Sequence, residues 1–312
     1  MSEKIILIKG PTASGKTDLA ISLLDHLPLE IISVDSVMVY RGLNIGTAKP
    51  SEQILKKYPH HLVNISDPYE NYSVGKFYQD VSKAIQLVLN RGKVPLLVGG
   101  TMMYFRAIQQ GLSNLPKSDA LVRNQIELLA KTKGWSYMHK KLFDLDPISA
   151  NKIKPTDKQR IERALEVYQI TGIPLSQLHK EKPKKLNYDY FSVSLVPSIR
   201  SKLHSTIDNR LESMIDEGLI DEVKALLDSD KLDSKTNSMK SVGYKQICEY
   251  LETKCSLVEA KDNAKTSTRR LAKRQLTWLR SESSDIEFDI YNDNIIDKAK
   301  LALDSFINDK QS

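Results

Sequence analysis

The stretch KIILIKGPTASGKT, residues 4–17, joins a short run of apolar and β-branched residues to a loop that contains two glycines. The run at residues 4–8 is typical of a strand that is buried on both faces, as in a parallel sheet. Behind the loop, apolar residues recur at helical spacing and predict a helix from Thr17 to about His26. This strand–loop–helix unit predicts an α/β fold.

Further strands and helices alternate in the first third of the chain. Residues 30–34 and 93–98 predict two more buried strands, and residues 73–91 predict an amphipathic helix. Strands that alternate with helices are joined by crossovers, which give a parallel sheet with helices on both faces. We therefore predict an α/β, P-loop NTPase-like fold with a parallel sheet flanked by helices.

The pattern changes after about residue 116. From residue 118 to residue 171 only helices are predicted, and strand character returns at residues 190–196. We interpret residues 117–189 as an all-helical insertion domain. Residues 1–116 and 190–312 then form the P-loop α/β core domain, which ends in basic helices.

The composition of the 312-residue chain is that of a globular protein, with 40% hydrophobic and 27% charged residues. The apolar runs are too short to cross a membrane, and the first residues do not resemble a signal peptide. The two cysteines lack a CxxC partner, which excludes a disulfide framework and a structural zinc site. We expect a cytoplasmic, monomeric enzyme that acts away from the membrane. Its net charge of +7 favours a polyanionic partner.

The glycine-rich loop fits the pattern G-x-x-x-x-G-K-[ST], which holds phosphates on backbone N–H groups and on the N-terminus of the following helix. Lys16 can reach the outer phosphate and the Thr17 hydroxyl can bind Mg²⁺. A plain tight turn is the alternative, and ATP or GTP would be the default ligand. The predicted phosphate-binding residues are Gly10, Pro11, Thr12, Ala13, Ser14, Gly15, Lys16 and Thr17.

Two other strand ends carry polar groups, and ligands bind beyond the carboxyl ends of strands in such sheets. Asp35 follows the second strand and is a Mg²⁺ ligand, a general base or a helix cap. Thr101 follows two glycines and can contact a ligand, cap the helix that starts at Met102, or do both. A carboxylate and a hydroxyl beside a diphosphate favour group transfer.

A basic segment at residues 261–280 contains seven Lys or Arg residues and one Asp, which is nearly the whole charge excess of the chain. A solvated helix face is one interpretation. We favour a surface that contacts a phosphate backbone, because the excess is concentrated in one element. The helix predicted from Asp157 to Thr171 is weaker support, since Gln159 and Arg163 more often lie on an ordinary surface face.

Together these motifs resemble one family, the tRNA dimethylallyltransferases, also called tRNA isopentenyltransferases. The matches run in the family's order over nearly the whole chain, and IGTAKP and KRQLTW are the most diagnostic. The matching segments are GPTASGKT at 10–17, ISVDS at 32–36, IGTAKP at 45–50, VGGT at 98–101 with Tyr104, Arg160 to Tyr168, VGY at 242–244 and RLAKRQLTWLR at 270–280.

The resemblance implies transfer of a dimethylallyl group from its diphosphate to the N6 amine of the adenosine just 3′ of the anticodon. The tRNAs would be those that read codons starting with U. Asp35 would act as general base, and Thr101 would hydrogen-bond the bridging oxygen as it leaves. Lys16 and Arg210 would neutralise the diphosphate, with Mg²⁺ as cofactor.

The resemblance also implies a set of contacts with the anticodon stem-loop of tRNA. Met38 stands where many members carry glutamine, and Lys240 and Lys245 replace arginines of some members. No zinc module follows Arg280, and in this respect the chain resembles the bacterial form of the family. The implied tRNA-binding residues are Asp35, Ser36, Val37, Met38, Thr101, Arg123, Gln159, Arg160, Ile161, Glu162, Arg163, Lys240, Ser241, Val242, Gly243, Tyr244 and Lys245.

Three other functions share some of these features. A P-loop nucleoside or nucleotide kinase is the main alternative, and it predicts ATP turnover without a need for the basic helix. A non-enzymatic, ATPase-like RNA-binding protein predicts tRNA binding without product. A plant-type adenylate prenyltransferase would use a free nucleotide, and the helical insertion and basic segment argue against it.

Overall fold

The computed structural model describes residues 3–180, 185–229 and 231–309. Its sheet has six strands in the order β3-β2-β4-β1-β5-β6, and all neighbouring strands are parallel. The predicted parallel sheet is therefore confirmed. The strands are β1 (Lys4–Lys9), β2 (Leu29–Val34), β3 (His60–His61), β4 (Val94–Gly99), β5 (Asp189–Val196) and β6 (Ile286–Asp289).

Helices connect the strands, as the alternating pattern predicts, and short 3₁₀ turns lie at Ile45–Thr47 and Ser238–Lys240. The helices are α1 (Lys16–Leu24), α2 (Glu52–Lys57), α3 (Val74–Asn90), α4 (Met102–Gln110), α5 (Ala120–Lys133), α6 (Trp135–Leu145), α7 (Pro147–Lys152), α8 (Lys158–Thr171), α9 (Leu175–Leu178), α10 (Arg200–Asp216), α11 (Leu219–Leu227), α12 (Tyr244–Leu251), α13 (Leu257–Ser281) and α14 (Ile295–Asn308).

The chain forms two compact units. One comprises Met1–Ala107 and Asn187–Ser312 and contains the sheet, and the other comprises Ile108–Leu186 and contains α5 to α9. The helical insertion predicted from the sequence spans residues 117–189. That this helical unit contacts tRNA, as the resemblance implies, stays a prediction.

The core of the sheet unit explains why β1 is apolar throughout. Residues Ile5 to Ile8 are fully buried, because successive side chains of a strand point to opposite faces and helices cover both. On one face, Ile6 and Ile8 share a cluster with Leu23 of α1 and Leu303 of α14. Helix α3 packs against β2 and β4. This packing fixes the strand ends that carry the polar residues.

The helical unit has a core of its own. Ile126, Met138, Leu142 and Leu165 pack together from α5, α6 and α8. Within the described residues of the two units, no helix is both long enough and apolar enough to span a bilayer.

Candidate active site

A cavity of about 680 Å³ lies at the carboxyl ends of β1, β2 and β4. Its walls come from the glycine-rich loop, from the segments that follow β2 and β4, and from α10 and α13. Lys16, Asp35 and Arg210 all line it. The strand ends therefore converge as the sequence predicts, and α10 and α13 complete the enclosure.

The glycine-rich loop leads into α1 in the manner expected of a phosphate-binding loop. Gly15 is the N-cap residue of α1 with φ of +74°, and no side chain caps this helix end. The first N–H groups of a helix carry partial positive charge and bind anions well. Residues Thr12 to Thr17 line the cavity, whereas Gly10 and Pro11 are not among its lining residues.

Lys16 is the first residue of α1 and lines the cavity. Its Nζ donates hydrogen bonds to the Pro11 carbonyl oxygen at 2.5 Å and to Ser14 Oγ at 3.5 Å. Burial, reinforced by the charge of Arg210 and opposed by that of Asp35, lowers the pKa of Lys16 to about 8. A bound anion would stabilise the protonated form, so the site favours a negatively charged ligand.

Arg210 reaches the same cavity from α10. Its Nη2 donates a hydrogen bond to Thr12 Oγ1, which joins α10 to the glycine-rich loop. Burial lowers the pKa of the Arg210 guanidinium below its ordinary value, and the negative charge of Asp35 opposes this effect. Two desolvated cations thus face one cavity, an arrangement suited to a diphosphate.

Asp35 directly follows β2 and is held by the turn that it begins. Its Oδ1 accepts hydrogen bonds from the backbone N–H groups of Val37 at 2.8 Å and Met38 at 3.1 Å. The carboxylate therefore caps this turn and not a helix. The helix-cap alternative for Asp35 is wrong for that reason. Within the described residues Oδ2 accepts no hydrogen bond, so this oxygen can still accept a proton or bind a cation.

Thr101 lies beside the cavity, next to the lining residue Gly100. Its Oγ1 accepts a hydrogen bond from Ser36 N–H at 3.2 Å, and its hydroxyl lies 3.5 Å from Ser36 Oγ. The second contact is too long for a strong hydrogen bond. A Cβ on Gly99 would lie 2.0 Å from the Val34 carbonyl oxygen, so only glycine allows β4 to end this close to β2.

Gln275 on α13 is a site residue that the sequence reasoning missed. Its side-chain amide bonds both Thr12 and Gly100. The only sequence signal is its place in the KRQLTW segment, because helical spacing alone gives this residue no role.

The predicted tRNA-binding residues of the sheet unit lie in three kinds of environment. Val37 and Met38 line the cavity together with Ser241, Val242 and Gly243, and Lys240 and Lys245 are exposed. The prediction that the Tyr244 side chain binds tRNA is wrong. This side chain is fully buried, and its hydroxyl donates a hydrogen bond to Glu222 Oε1 at 2.5 Å. This side chain stabilises the fold and cannot contact RNA.

In the helical unit, Arg123 and Arg163 share one buried carboxylate. Glu166 Oε1 accepts from Arg123 Nε at 2.8 Å, and Oε2 accepts from Arg163 Nη1 at 2.6 Å. Gln159 and Arg160 are exposed, and Glu162 is partly exposed. The prediction that the Ile161 side chain binds tRNA is also wrong, because this side chain is buried in the core of the helical unit.

The basic segment forms most of α13, a 25-residue helix. Its first half is paired with acidic residues of α10: Lys265 lies 2.7 Å from Glu212, Lys261 contacts the same carboxylate, and Arg269 contacts Asp208. In the second half, four exposed residues form no ion pair within the described part of the chain. These are Arg270, Lys273, Arg274 and Arg280.

Comparisons with known proteins identify the family of the chain. The chain matches the family model described as IPP transferase over residues 38–282, and one described as Isopentenyl transferase over residues 3–66. It is 48% identical over 96% of its length to the tRNA dimethylallyltransferase of Nitrosospira multiformis, of which it covers 93%. It is 44% identical over 99% of its length to that of Legionella pneumophila strain Lens, of which it covers 100%.

Solved structures show the same relationship. A full-length tRNA isopentenylpyrophosphate transferase from Bacillus halodurans superposes with a TM-score of 0.69 at 36% identity, covering 98% of this chain and 95% of its own. A eukaryotic dimethylallyltransferase described as acting on tRNA superposes with a TM-score of 0.84 at 29% identity, covering 98% and 80%.

Proposed function

The chain belongs to the IPP transferase family, and on this premise we propose that it transfers a dimethylallyl group from dimethylallyl diphosphate to tRNA. The acceptor is the N6 amine of the adenosine 3′-adjacent to the anticodon, in tRNAs that read codons starting with U. The products are N6-isopentenyladenosine and diphosphate. The relatives' names do not favour a kinase.

One observation carries the proposal. Two desolvated cations, Lys16 and Arg210, line the same cavity as Asp35, whose Oδ2 accepts no hydrogen bond within the described residues. The cations suit a diphosphate, and the carboxylate suits a proton acceptor. A hydrolytic water is not needed, because the adenine amine is the nucleophile.

The reaction places each group in a defined role. The N6 nitrogen forms a bond to carbon 1 of the dimethylallyl group while the bond from that carbon to the diphosphate oxygen breaks. The electron pair of the broken bond stays on the diphosphate, where Lys16 and Arg210 stabilise its charge and the Thr101 hydroxyl donates to the departing oxygen. Asp35 takes the proton that the amine loses.

We propose Mg²⁺ as the cofactor, which the hydroxyl of the cavity-lining residue Thr17 would hold beside the diphosphate. Within the described residues no cluster of three His, Cys, Asp or Glu side chains could hold a metal ion. A hydroxyl at the start of α1 fits Mg²⁺, which keeps several waters and takes few protein ligands beside substrate phosphates. When bound, the ion would neutralise phosphate charge.

We also propose that exposed basic residues of α13 and of the helical unit bind the tRNA backbone. The acceptor adenine is stacked in the anticodon loop, and taking it out of the stack costs a few kcal/mol. Phosphate contacts can offset that cost without reading sequence.

The decisive experiment mixes the protein with unmodified tRNA, dimethylallyl diphosphate and Mg²⁺. We expect mass spectrometry of the digested nucleosides to find one prenyl group on adenosine. No prenylated nucleoside, together with rapid transfer of the terminal phosphate of ATP, would contradict the proposal and favour the kinase.

A further inference from the structure

Gln275 bridges two segments that both line the cavity of the proposed reaction centre. Its Oε1 accepts a hydrogen bond from the backbone N–H of Thr12 at 2.8 Å, and its Nε2 donates to the Gly100 carbonyl oxygen at 2.8 Å. One side-chain amide therefore connects the glycine-rich loop to the turn that precedes Thr101.

Gln275 is tightly packed, and its contacts lead through Thr12 to the cation Arg210. A Cβ on Gly100 would lie 2.5 Å from Nε2, so the amide packs directly on this turn. On the other side, Thr12 uses its hydroxyl to accept the hydrogen bond from Arg210. A continuous chain of contacts thus runs from Arg210 through Thr12 and Gln275 to Gly100.

Helices α10 and α13 hold the two ends of this chain in register. Arg269 of α13 binds Asp208 of α10, two residues from Arg210. Lys265 of α13 binds Glu212 of the same helix at 2.7 Å. The helix that carries Gln275 is thereby fastened to the helix that carries Arg210.

We propose that Gln275 is a positioning residue for the leaving diphosphate, acting through Thr12 on Arg210 and through Gly100 on Thr101. This inference rests on the proposed function. The position needs a donor and an acceptor on one planar group, which an amide supplies. A methionine would supply neither, and a glutamate would set a negative charge against the Gly100 carbonyl oxygen and near the diphosphate.

The test compares Gln275→Met with the control Thr277→Ala. Thr277 is exposed on α13, and its hydroxyl donates to the Lys273 carbonyl oxygen of the same helix. Inorganic diphosphate is titrated by calorimetry, and kcat and KM are measured with dimethylallyl diphosphate and tRNA. For Gln275→Met we expect diphosphate affinity to fall about 3- to 10-fold and kcat about 10- to 100-fold. The KM for tRNA and the melting temperature should change little, and Thr277→Ala should change nothing.

A double-mutant cycle tests the route through Thr12. Thr12→Val removes the hydroxyl that accepts from Arg210 and keeps the backbone N–H that binds Gln275. If Gln275 acts through this contact, the double variant loses less diphosphate affinity than the product of the two single losses. Independent losses that simply multiply would overturn this route.

Other outcomes are equally decisive. Normal diphosphate affinity and kcat in Gln275→Met would overturn the proposal, as would equal losses of diphosphate binding, tRNA binding and thermal stability. Should Gln275→Met not fold, Gln275→Glu keeps the acceptor for Thr12, and unchanged turnover in that variant would also overturn it. If the unaltered protein transfers no prenyl group, the diphosphate titration still tests Gln275 separately from the proposed function.

Discussion

At the level of single residues, Asp35 uses its two carboxylate oxygens differently. Oδ1 is held by the N–H groups of Val37 and Met38, whereas Oδ2 accepts no hydrogen bond within the described residues. The turn thereby fixes the orientation of the carboxylate, and the second oxygen is available for a proton. This division lets one substitution separate structure from chemistry.

For Asp35→Asn we expect kcat to fall by about 10² to 10⁴, the usual contribution of a general base. The amide oxygen can still accept the N–H groups of the turn, so the melting temperature and the tRNA affinity should stay close to those of the unaltered protein. Steady-state kinetics and a tRNA binding titration check this. Normal turnover with weakened tRNA binding would remove Asp35 from the chemistry.

Lys16 gives the site a pH dependence. Because burial lowers its pKa to about 8, the free protein loses this proton as the pH rises through that value. Diphosphate needs the protonated form, so we expect the Lys16 contribution to affinity to be complete below about pH 7 and to decline above about pH 8. Calorimetric titration of inorganic diphosphate across this range measures it.

The matched control is Lys16→Arg, since a guanidinium keeps its charge over the whole range. The ratio of the affinity of the unaltered protein to that of Lys16→Arg should fall as the pH rises. A constant ratio would show that another group, such as Lys49, whose pKa burial also lowers to about 8, causes the dependence.

At the level of elements, α13 divides into a paired half and an unpaired half. Lys261 and Lys265 bind Glu212 of α10, whereas Lys273 and Arg274 are exposed and form no ion pair within the described residues. The concentration of charge in the sequence therefore overstates the surface that can bind phosphate. The second half is the part that remains available for the proposed contact with tRNA.

We expect Arg274→Ala to weaken tRNA binding and to reduce the slope of log affinity against log salt concentration by about one. Lys261→Ala removes the same charge from the paired half and should change that slope much less. Filter binding at several salt concentrations measures both variants. Equal slopes for the two would contradict a phosphate-binding role for the second half.

A second element-level feature is the anchoring of the segment around residues 44–46 by α11. The Glu222 carboxylate accepts hydrogen bonds from the backbone N–H groups of Asn44 at 3.1 Å, Ile45 at 2.8 Å and Gly46 at 3.3 Å. It also accepts one from the hydroxyl of Tyr244. This accounts for part of the IGTAKP segment, whose first residues form the 3₁₀ turn.

Removing this acceptor should destabilise the fold. For Glu222→Ala we expect the free energy of unfolding to fall by about 2–4 kcal/mol, because several partly buried donors lose their partner at once. Tyr244→Phe removes only one of these hydrogen bonds and should cost about 1 kcal/mol. Denaturant unfolding measures both, and an unchanged Glu222→Ala protein would contradict the anchoring role.

At the level of the whole molecule, the elements that could be predicted from the sequence are those that local residue patterns determine. The strands β1, β2 and β4, the loop between β1 and α1, and the helical stretch in the middle follow from apolar periodicity and glycine placement. The convergence of the loop with Asp35 follows from the parallel sheet. Strand β3 was missed, because two residues carry no periodic signal.

The remaining features depend on contacts between distant parts of the chain. Arg210 meets Thr12 across 198 positions, and Gln275 meets it across 263. Burial of Ile161 and Tyr244 likewise follows from packing, so a contiguous family segment cannot tell which of its side chains face a ligand. Single-sequence periodicity contains no information about such long-range pairs.

The shared carboxylate of Glu166 affects how much side-chain entropy the proposed contact with tRNA would cost. A free arginine loses up to about 2 kcal/mol of rotamer freedom when it is immobilised. Arg123 and Arg163 are already held by Glu166, so this loss occurs when the chain folds. If the helical unit contacts tRNA as proposed, both guanidinium planes are already fixed, and this contact would cost little further rotamer entropy.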